Sequence, residues 1–506
     1  MSDIHVTPAD VQQHVNQAKP GDKFILAAGT YAARLQMKNL QGTQAKPITL
    51  MAGPGAVFDG GVSADAYRVK ANQMADSVYQ GKVPGYPKGT YPGLYPWMAE
   101  GQIVLQGCKH IRLVNLVMRR SWPTLIALID SNQIQITGAN LTDGTFAIGA
   151  LGETTSDITI EKCKWVQDSV AQRMWQKIDW ASIHGDPNED GVVDIQNDWR
   201  LFDGDFFRAG TILGRVRIWD SEISAAFNAV HLFNDLPKKP LCRDVEVAHC
   251  TFREIRDNIF EAERVASNWW FHHNEIINCH KWISIEQKTS GYFYFFANRG
   301  WFDSIQGPLT DDHSGGGVFK TPKEFKSVTG PHYFFNNSFY LRGDYLRNRI
   351  LSRFLHQNNA LRFVAMDDPV ITDPATRDKE EIFPATLFGN LGSPPADLAN
   401  RFTTDWKTLD IKMQNDVVAH TSWPALVQAN GYPVQPAAGV DPLFVNPFKG
   451  DFKLQNNSPC RGHAGALSIE LVDGTVWKRP AGGDIGAWQG DELFDGPAFV
   501  ATPANA

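Results

Sequence analysis

A short pattern that returns about every 24 residues constrains what this chain can fold into. The pattern has apolar residues at offsets 0 and 2, a small residue, Asn or Cys at offset 5, and an apolar residue at offset 7, where the last copy has Gly300. Start positions 134 and 158, 245 and 269, and 269 and 293 are each 24 apart. The alternation is typical of a strand, and offset 5 is typical of a turn that keeps one face inward. The copies begin at Ile134, Ile158, Val216, Val245, Trp269 and Phe293.

This period fits one coil of a parallel β-solenoid, in which three short strands are separated by turns. Each coil buries its inward side chains by stacking on the next coil, so we expect an all-β fold. Leucine-rich repeats share the period, but their dense leucine consensus is absent. Cys163 and Cys250 share offset 5 with Asn274 and Asn298, which predicts an inward ladder of small or amide side chains.

The first residues predict a short helix ahead of the solenoid. In "TPADVQQHVNQA", Thr7 is a plausible N-cap, Pro8 suits the first helical turn, and Val11 and Val15 lie four apart. We expect this helix, within residues 1–18, to close one end of the solenoid. The β-helix domain is then predicted over residues 19–490, followed by a C-terminal tail over 491–506.

Composition excludes several classes of protein. The chain has 55 Asp and Glu against 48 Lys and Arg, a formal net charge of -7, so it offers no general footprint for nucleic acid. No run of about 18 apolar residues exists, so no membrane span is expected. The six cysteines lack disulfide density and CxxC spacing, which predicts buried, reduced thiols.

The stretch from Lys19 to Gly61, "KPGDKFILAAGTYAARLQMKNLQGTQAKPITLMAGPGAVFDGG", resembles the opening coils of right-handed parallel β-helix polysaccharide enzymes of the alginate lyase and chondroitinase B type. The tail "DPLFVNPFKGDFKLQNNSPCRGHAG", with "DIGAWQG", is similar to closing coils of secreted β-helix carbohydrate enzymes. The resemblance implies a right-handed parallel β-helix, a polysaccharide or oligosaccharide substrate, no organic cofactor, a monomer or small homo-oligomer, and a secreted, periplasmic or cell-surface location. The same scaffold serves lyases, hydrolases, epimerases and adhesins, so it specifies the fold more than the chemistry.

The period fails twice, at about residues 170–213 and 303–325. Long loops in a solenoid are often functional, and these two bracket the middle coils, so we expect them to wall a groove. The second contains "TDDHSGGG", in which Asp312 and His313 are candidate substrate contacts on a glycine-rich lid. A polar turn is the alternative.

The first of these loops contains a candidate calcium site. In "DPNEDGVVD", Asp186, Asn188, Asp190 and Asp194 have the oxygen-ligand spacing of a calcium loop, with Gly191 at the sharp turn. Position twelve is Asn197 instead of Glu, and flanking helices are not evident. A solvated Asp- and Gly-rich turn therefore remains an alternative, and calcium is the one possible cofactor.

The segment "FEAERVASNWWFHH", residues 260–273, carries the candidate reaction centre. Strand alternation with a one-residue bulge after "RDN" turns Phe260 and Ala262 inward and leaves Glu261 and Glu263 outward. Coils stack about 4.8 Å apart, so one outer face gathers these carboxylates with others. Crowded carboxylates raise one another's pKa, which allows one to act as an acid while its neighbour stays a base or nucleophile. The catalytic candidates are Glu261, Glu263, Glu286 and Asp257.

Further side chains near this face are candidate substrate contacts. Tryptophans stack on sugar rings, and cationic or imidazole groups meet a uronate carboxylate or exchange a proton. These candidates are His231, Arg264, Trp282, Lys288 and Trp301, with Asp312 and His313 from the second loop.

The family comparison bears on the reaction type. Chondroitinase B and related alginate lyases carry Glu-x-Glu calcium ligands, which Glu261 and Glu263 match, and a base lysine five residues later. That position is Asn268 here, and the family's arginine position falls on Thr289. This departure favours a hydrolase over a lyase, although Lys288, Arg264 or His272 could replace the base. A calcium-dependent lyase, an epimerase and a non-catalytic glycan-binding protein remain alternatives.

Overall fold

The computed structural model describes residues 3–170, 173–185, 192–234, 239, 241–301, 317–320, 331–341, 346–347, 353–363, 412–414, 416–419, 437–438 and 441–503. For some strand residues, among them Arg264, Glu286 and Lys288, it describes only the backbone. The chain divides into two compact units. The described part of the first comprises residues up to 242 and 253–259, and that of the second comprises 243–252 and 260–503.

Short strands make up most of both units. Strands β1 to β19 span Asp3–Val6, Lys23–Leu26, Gly29–Tyr31, Leu35–Lys38, Ile48–Ala52, Ala56–Asp59, Gly101–Gln106, Lys109–Val114, Val117–Arg119, Thr124–Ile129, Asn132–Thr137, Asn140–Thr142, Phe146–Leu151, Ser156–Glu161, Lys164–Val166, Asp205–Gly210, Gly214–Trp219, Glu222–Ala226 and Asn228–Phe233. Strands β20 to β40 span Arg243–Ala248, Thr251–Ile255, Asn258–His272, Glu275–Ile277, Lys281–Phe296, Arg299–Trp301, Gly317–Lys320, His332–Phe335, Ser338–Leu341, Leu346–Arg347, Phe354–Gln357, Ala360–Phe363, Lys412–Gln414, Val417–Ala419, Ala437–Ala438, Phe444–Asn446, Asp451–Leu454, Leu467–Glu470, Val476–Arg479, Trp488–Gln489 and Glu492–Leu493.

The described residues contain four α-helices, of which the 16-residue helix Ala64–Tyr79 is the longest. Helices α1 to α4 span Val11–Val15, Ala64–Tyr79, Arg173–Gln176 and Trp180–His184. Single 3-10 turns span Tyr95–Trp97, Arg200–Phe202 and Pro447–Lys449. None of the described helices is long and apolar enough to cross a membrane.

The first unit stacks its strands in parallel, three to a coil. One stack runs β4, β7, β10, β13, β16, β19, a second runs β2, β5, β8, β11, β14, β17, and a third runs β3, β6, β9, β12, β15, β18. Ile134 pairs with Ile158 and Ile158 with Val216, and all three side chains are buried. The sequence repeat is therefore the structural repeat, and the predicted right-handed parallel β-helix is confirmed.

The second unit repeats this construction. Val245 pairs with Trp269, and Phe293 pairs with His332. A stack of β23, β25, β28, β31, β33 and β34 is parallel throughout. The three antiparallel pairs β35–β36, β37–β38 and β39–β40 follow.

A ladder of asparagine side chains runs through the second unit at the offset-5 turn. Each side-chain carbonyl accepts the backbone N–H of the coil before it, from Cys250 N to Asn274 Oδ1 at 2.9 Å through Asn359 N to Asp416 Oδ1 at 2.8 Å. Asn298 shows the full pattern, because its Nδ2 donates to Phe271 O at 2.9 Å and to Asn337 Oδ1 at 3.0 Å. The ladder members are Asn274, Asn298, Asn337 and Asn359, all buried.

The six cysteines are free and buried, as expected. Cys163 lies at the same turn in the first unit, where its N–H donates to Ser221 Oγ at 3.2 Å.

The N-terminal helix is present as α1, with Val11 and Val15 buried. Its N-cap residue is Asp10 instead of the predicted Thr7. Asp10 Oδ1 accepts the Thr7 N–H at 2.7 Å, so the two residues bond to each other ahead of the helix.

The first predicted insertion, residues 170–213, contains α3, α4 and a 3-10 turn, and it also contains the coil strand β16. Its helical part packs with α2 in one apolar cluster that includes Tyr67, Ile183 and Phe202. Arg200 is buried and holds the loop together by donating to His184 O at 2.6 Å and Val192 O at 2.8 Å. Of the second insertion, 303–325, the structure describes 317–320, which form β26 alongside β24.

The C-terminal segment packs on the outer face of the second unit. Phe494 and Leu467 join a buried cluster with Trp270 and Phe296. The Asn268 side chain donates to Val500 O at 2.7 Å, which fixes the last described residues on this face.

Removing one ladder amide is expected to lower the stability of the whole unit. Replacing Asn298 with Ala leaves its buried backbone partners unpaired, which costs about 2–4 kcal/mol of the free energy of unfolding. Thermal unfolding followed by circular dichroism measures the change. Asn456 is exposed, so Asn456→Ala is the matched control, and equal melting temperatures for both variants would contradict a stabilising ladder.

Asp59 accepts several hydrogen bonds in the first unit, and protonation of its carboxylate in acid would weaken them. Its carboxylate accepts Arg120 Nε at 2.9 Å, Arg119 Nε at 2.8 Å and the Gly61 N–H at 2.9 Å. Hydrogen bonding to Arg120 is the main reason that the pKa of Asp59 is lowered, against the effect of burial, to about 2.

A carboxylate with a lowered folded pKa stabilises the protein above its ordinary pKa and loses that contribution as the pH falls towards the folded value. We expect Asp59→Asn to cost about 1–2 kcal/mol at neutral pH, since both arginines are partly exposed, and almost nothing near pH 2. The free energies of unfolding of the wild type and of Asp59→Asn, measured between about pH 5 and 2, should converge as the pH falls. Asp65→Asn, at a side chain that is 66% exposed, is the control; a pH-independent gap would refute the assignment.

Candidate functional site

Strands β16 and β19 place the side chains of Asp205, Arg208 and His231 close together in the first unit. Phe207 pairs with Val230 and Ala209 with Leu232, and these apolar side chains are fully buried. Arg208 alternates with them and pairs with His231, and the Arg208 guanidinium contacts His231 Nδ1. The same guanidinium lies 4.3 Å from the centre of the Tyr95 ring. Strand alternation therefore presents a cation and an imidazole side by side.

Asp205 completes this group. One carboxylate oxygen lies 3.5 Å from Arg208 Nη1 and the other lies 3.6 Å from His231 Nδ1. Asp205 is fully buried, and within the described residues neither oxygen has a hydrogen-bond partner. A buried carboxylate is costly without compensation, so the positive charge of Arg208 stabilises it. Both charged groups therefore approach the same nitrogen, Nδ1 of His231.

Two asparagines, Asn228 and Asn258, are the first residues of β19 and β22. Asn228 pairs with Asp205 in register, and its Oδ1 accepts the Asn258 N–H at 2.7 Å. Asn258 Nδ2 then donates to Asp257 Oδ2 at 3.1 Å. Asp257 is 6% exposed, so this predicted catalytic residue lies in a fixed, mostly buried turn.

Glu261 and Glu263 lie on β22 in the second unit. Phe260 and Ala262 alternate with them and are buried, with the Phe260 ring 4.9 Å from that of Trp269. Glu261 is 4% exposed and Glu263 is intermediate. A carboxylate oxygen of each lies within 4.8 Å of the other. The two acids therefore form a close pair whose strand is fixed by its apolar side.

The alternation that separates these acids from the core depends on one extra residue. Corner residues Ala225 and Glu254 have φ of 46° and 56°. Buried Val230 follows the first of them by five positions, and buried Phe260 follows the second by six. The one additional residue changes which side chains of β22 face the core. This is the change that the predicted one-residue bulge would produce.

The predicted sugar-stacking role of two tryptophans is wrong. Trp282 is 1% exposed, donates from Nε1 to Cys279 O at 3.0 Å and lies against Gly300. Trp301 is 7% exposed and packs on Phe452 in an apolar cluster. Trp282 is enclosed by its neighbours in the coils, and Trp301 is covered by Gly450 and Phe452 of the C-terminal segment, so neither ring offers a face to a ligand.

Other predicted residues are described partly or not at all. Arg264 lies on β22, and Glu286 and Lys288 lie on β24, with only their backbones described. Asp312 and His313 lie outside the described residues, as do the calcium candidates Asp186, Asn188 and Asp190.

Asp194 is the one described member of the predicted calcium set. Its carboxylate accepts Asn197 Nδ2 at 2.8 Å and the Gln196 N–H at 3.0 Å. Hydrogen bonding to Asn197 is the main reason that the pKa of Asp194 is lowered. The carboxylate thus closes its own turn, and calcium binding stays a prediction.

A cleft of about 290 Å³ opens elsewhere in the first unit. Arg34, Lys70 and Arg120 line it together with Trp122, and Glu100 is the one carboxylate in its lining. Three cations beside the stacked rings of Tyr67 and Trp122 suit an anionic, ring-shaped ligand.

Sequence reasoning missed this cleft and the Asp205–Arg208 pair. The run "DFFRAG" of β16 lacks the offset-5 turn residue and lay inside a predicted loop. A detectable signal was the apolar alternation of Phe207 and Ala209 around Arg208.

No protein-family model matches the sequence, and no curated protein matches it. Among solved structures the chain is similar to pectate lyase Pel9A, with 12% identity, a TM-score of 0.43, and coverage of 97% of this chain and 96% of that one. It is also similar to the family 28 exopolygalacturonase of Yersinia enterocolitica, with 11% identity, a TM-score of 0.42, and coverage of 72% and 75%.

A third similar structure is an alginate lyase from Paenibacillus sp. str. FPU-7, with 13% identity, a TM-score of 0.36, and coverage of 65% and 94%. These neighbours agree with the resemblance to parallel β-helix polysaccharide-degrading enzymes. At such identities and TM-scores they carry no inference about the reaction that this chain performs.

Proposed function

We propose that this chain cleaves glycosidic bonds of an acidic polysaccharide by hydrolysis, with Glu261 and Glu263 as its reacting carboxyl groups. The observation that supports this most directly is the proximity of the two acids, whose carboxylate oxygens lie within 4.8 Å of each other on one strand. Glycosidases that retain anomeric configuration use two carboxyl groups about 5–5.5 Å apart.

Repulsion between two such close carboxylates favours a state in which one of them keeps a proton. Glu261 is the more buried of the two, and burial disfavours the charged form, so we assign it the role of general acid. Glu261 then protonates the departing glycosidic oxygen while Glu263 attacks the anomeric carbon. Water hydrolyses the resulting glycosyl ester, with Glu261 now acting as the base.

The charge pattern of the first unit supports an acidic substrate. The chain is net negative, yet Arg34, Lys70 and Arg120 line one cleft. Guanidinium groups bind carboxylates through paired hydrogen bonds, which would select uronates over neutral sugars. The net charge of the chain as a whole would not attract such a polymer, so we assign recognition to this cleft, although Arg120 also bonds to Asp59 and Arg34 lies 3.8 Å from Glu100.

Elimination at a uronate is a second candidate, supported by the Arg208–His231 contact in the first unit. A lyase must neutralise the uronate carboxylate and transfer the proton from C5. Arg208 would supply the neutralising cation and His231 the proton-transferring group, and the buried Asp205 carboxylate lies 3.6 Å from His231 Nδ1.

Replacing Glu261 with Gln keeps the side-chain shape and removes the transferable proton. We expect hydrolysis, measured as new reducing ends on a panel of uronate-containing and neutral polysaccharides, to fall by about 10²–10⁴-fold. Glu222→Gln, at a surface acid that is 58% exposed, is the control and should keep full activity. Unchanged hydrolysis in Glu261→Gln contradicts the assignment.

Ultraviolet absorbance of the same digests separates the two reactions, because only elimination produces an unsaturated uronate. Hydrolysis predicts reducing ends without absorbance. Elimination predicts both signals, with both lost by about 10²-fold or more in His231→Ala and kept in the surface control His5→Ala. Silence of the wild-type chain across the whole panel would favour the non-catalytic glycan-binding alternative.

A further inference from the structure

Three imidazoles meet at one corner of the second unit. His249 and His273 occupy equivalent corners of successive coils, 24 residues apart, with φ of 56° and 58°. His272 is the last residue of β22. One ring nitrogen of each of the three lies within 4.8 Å of the others.

The contacts within this group are specific. His272 Nδ1 lies 2.8 Å from His273 Nδ1, and the rings of His249 and His273 stack at 4.9 Å. The other nitrogen of His272, Nε2, lies 3.3 Å from Glu246 Oε1. Phe296 stacks on the His272 ring at 4.7 Å and fixes its plane.

We propose that His249, His272 and His273 bind a divalent transition-metal ion, for which zinc is the natural choice. Neutral imidazole is a preferred ligand of zinc, and three histidines with one water complete a tetrahedral site. His272 would bind through Nδ1, since Glu246 holds its Nε2. A carboxylate behind a metal-binding histidine is the usual arrangement that fixes ring orientation and raises ligand basicity.

The surroundings suit such an ion. His249 is exposed while His272 is 8% exposed, which gives the ion a route in from solvent. The proposal depends on this geometry and is independent of the carbohydrate reaction.

A bound ion would join two successive coils at their corner. It would also strengthen the attachment of the C-terminal segment, because the backbone at Phe494 hydrogen bonds to His273. Because the ion would link these parts of the unit, we expect it to stabilise the fold, with a water as its fourth ligand.

The experiment uses the full chain after treatment with a chelator and its removal. Calorimetric titration with Zn²⁺ should show one saturable site per chain, and Co²⁺ should give the intense visible absorption of a tetrahedral nitrogen site. Zn²⁺ should also raise the melting temperature, because it binds only the folded chain.

His249→Ala tests the site without disturbing the core, since this side chain is exposed. We expect it to abolish saturable Zn²⁺ binding and the Co²⁺ spectrum, while Glu246→Gln weakens binding by about 10–100-fold. His463→Ala, at another exposed histidine of the same unit, should bind like the wild type. A wild-type chain without saturable binding, or equal binding by His249→Ala, would overturn the proposal.

Discussion

The hydrogen bonds that join one coil to the next are the interaction on which the structure depends. Parallel strands supply most of them, but corners interrupt the strands and leave backbone groups to be satisfied. In the second unit the side-chain amides of Asn274, Asn298, Asn337 and Asn359 satisfy these groups and also bond to one another. A buried amide has two donors and one acceptor, so it can serve the coil on either side at once. This explains why asparagine recurs at this turn position in successive coils of the second unit.

The same regularity decides where chemistry can occur. Inward positions along each strand are occupied by apolar residues, so charged groups are confined to the alternate positions, as with Arg208 between Phe207 and Ala209. Glu261 and Glu263 follow the same rule on β22. Their separation is therefore set by the strand repeat, and the strand that carries them is anchored by Phe260, which packs on Trp269.

The fold could be predicted from the sequence because the repeat is local and its period is diagnostic. The carboxylate pair could be predicted for the same reason, since burying Glu261 on the inner side would be prohibitive. Helix α2 was missed because residues 62–100 carry no repeat, and its contacts with Ile183 and Phe202 come from far along the chain. The tryptophans were misjudged because a count of aromatic residues cannot distinguish Trp282 in the core from a ring at the surface. The histidine corner depends on stacking of coils 24 residues apart, so adjacent histidines alone gave no sign of His249.

The C-terminal segment has a consequence for the order of assembly. Trp270, on a coil near the middle of the chain, is covered by Phe494 and Phe499. During synthesis, Trp270 leaves the ribosome long before Phe494 and Phe499, which cover it in the folded chain. The aromatic face around Trp270 therefore stays uncovered while more than two hundred further residues are translated. Packing of Phe494 and Phe499 on Trp270 is a late event in the folding of the second unit, however early its strands form.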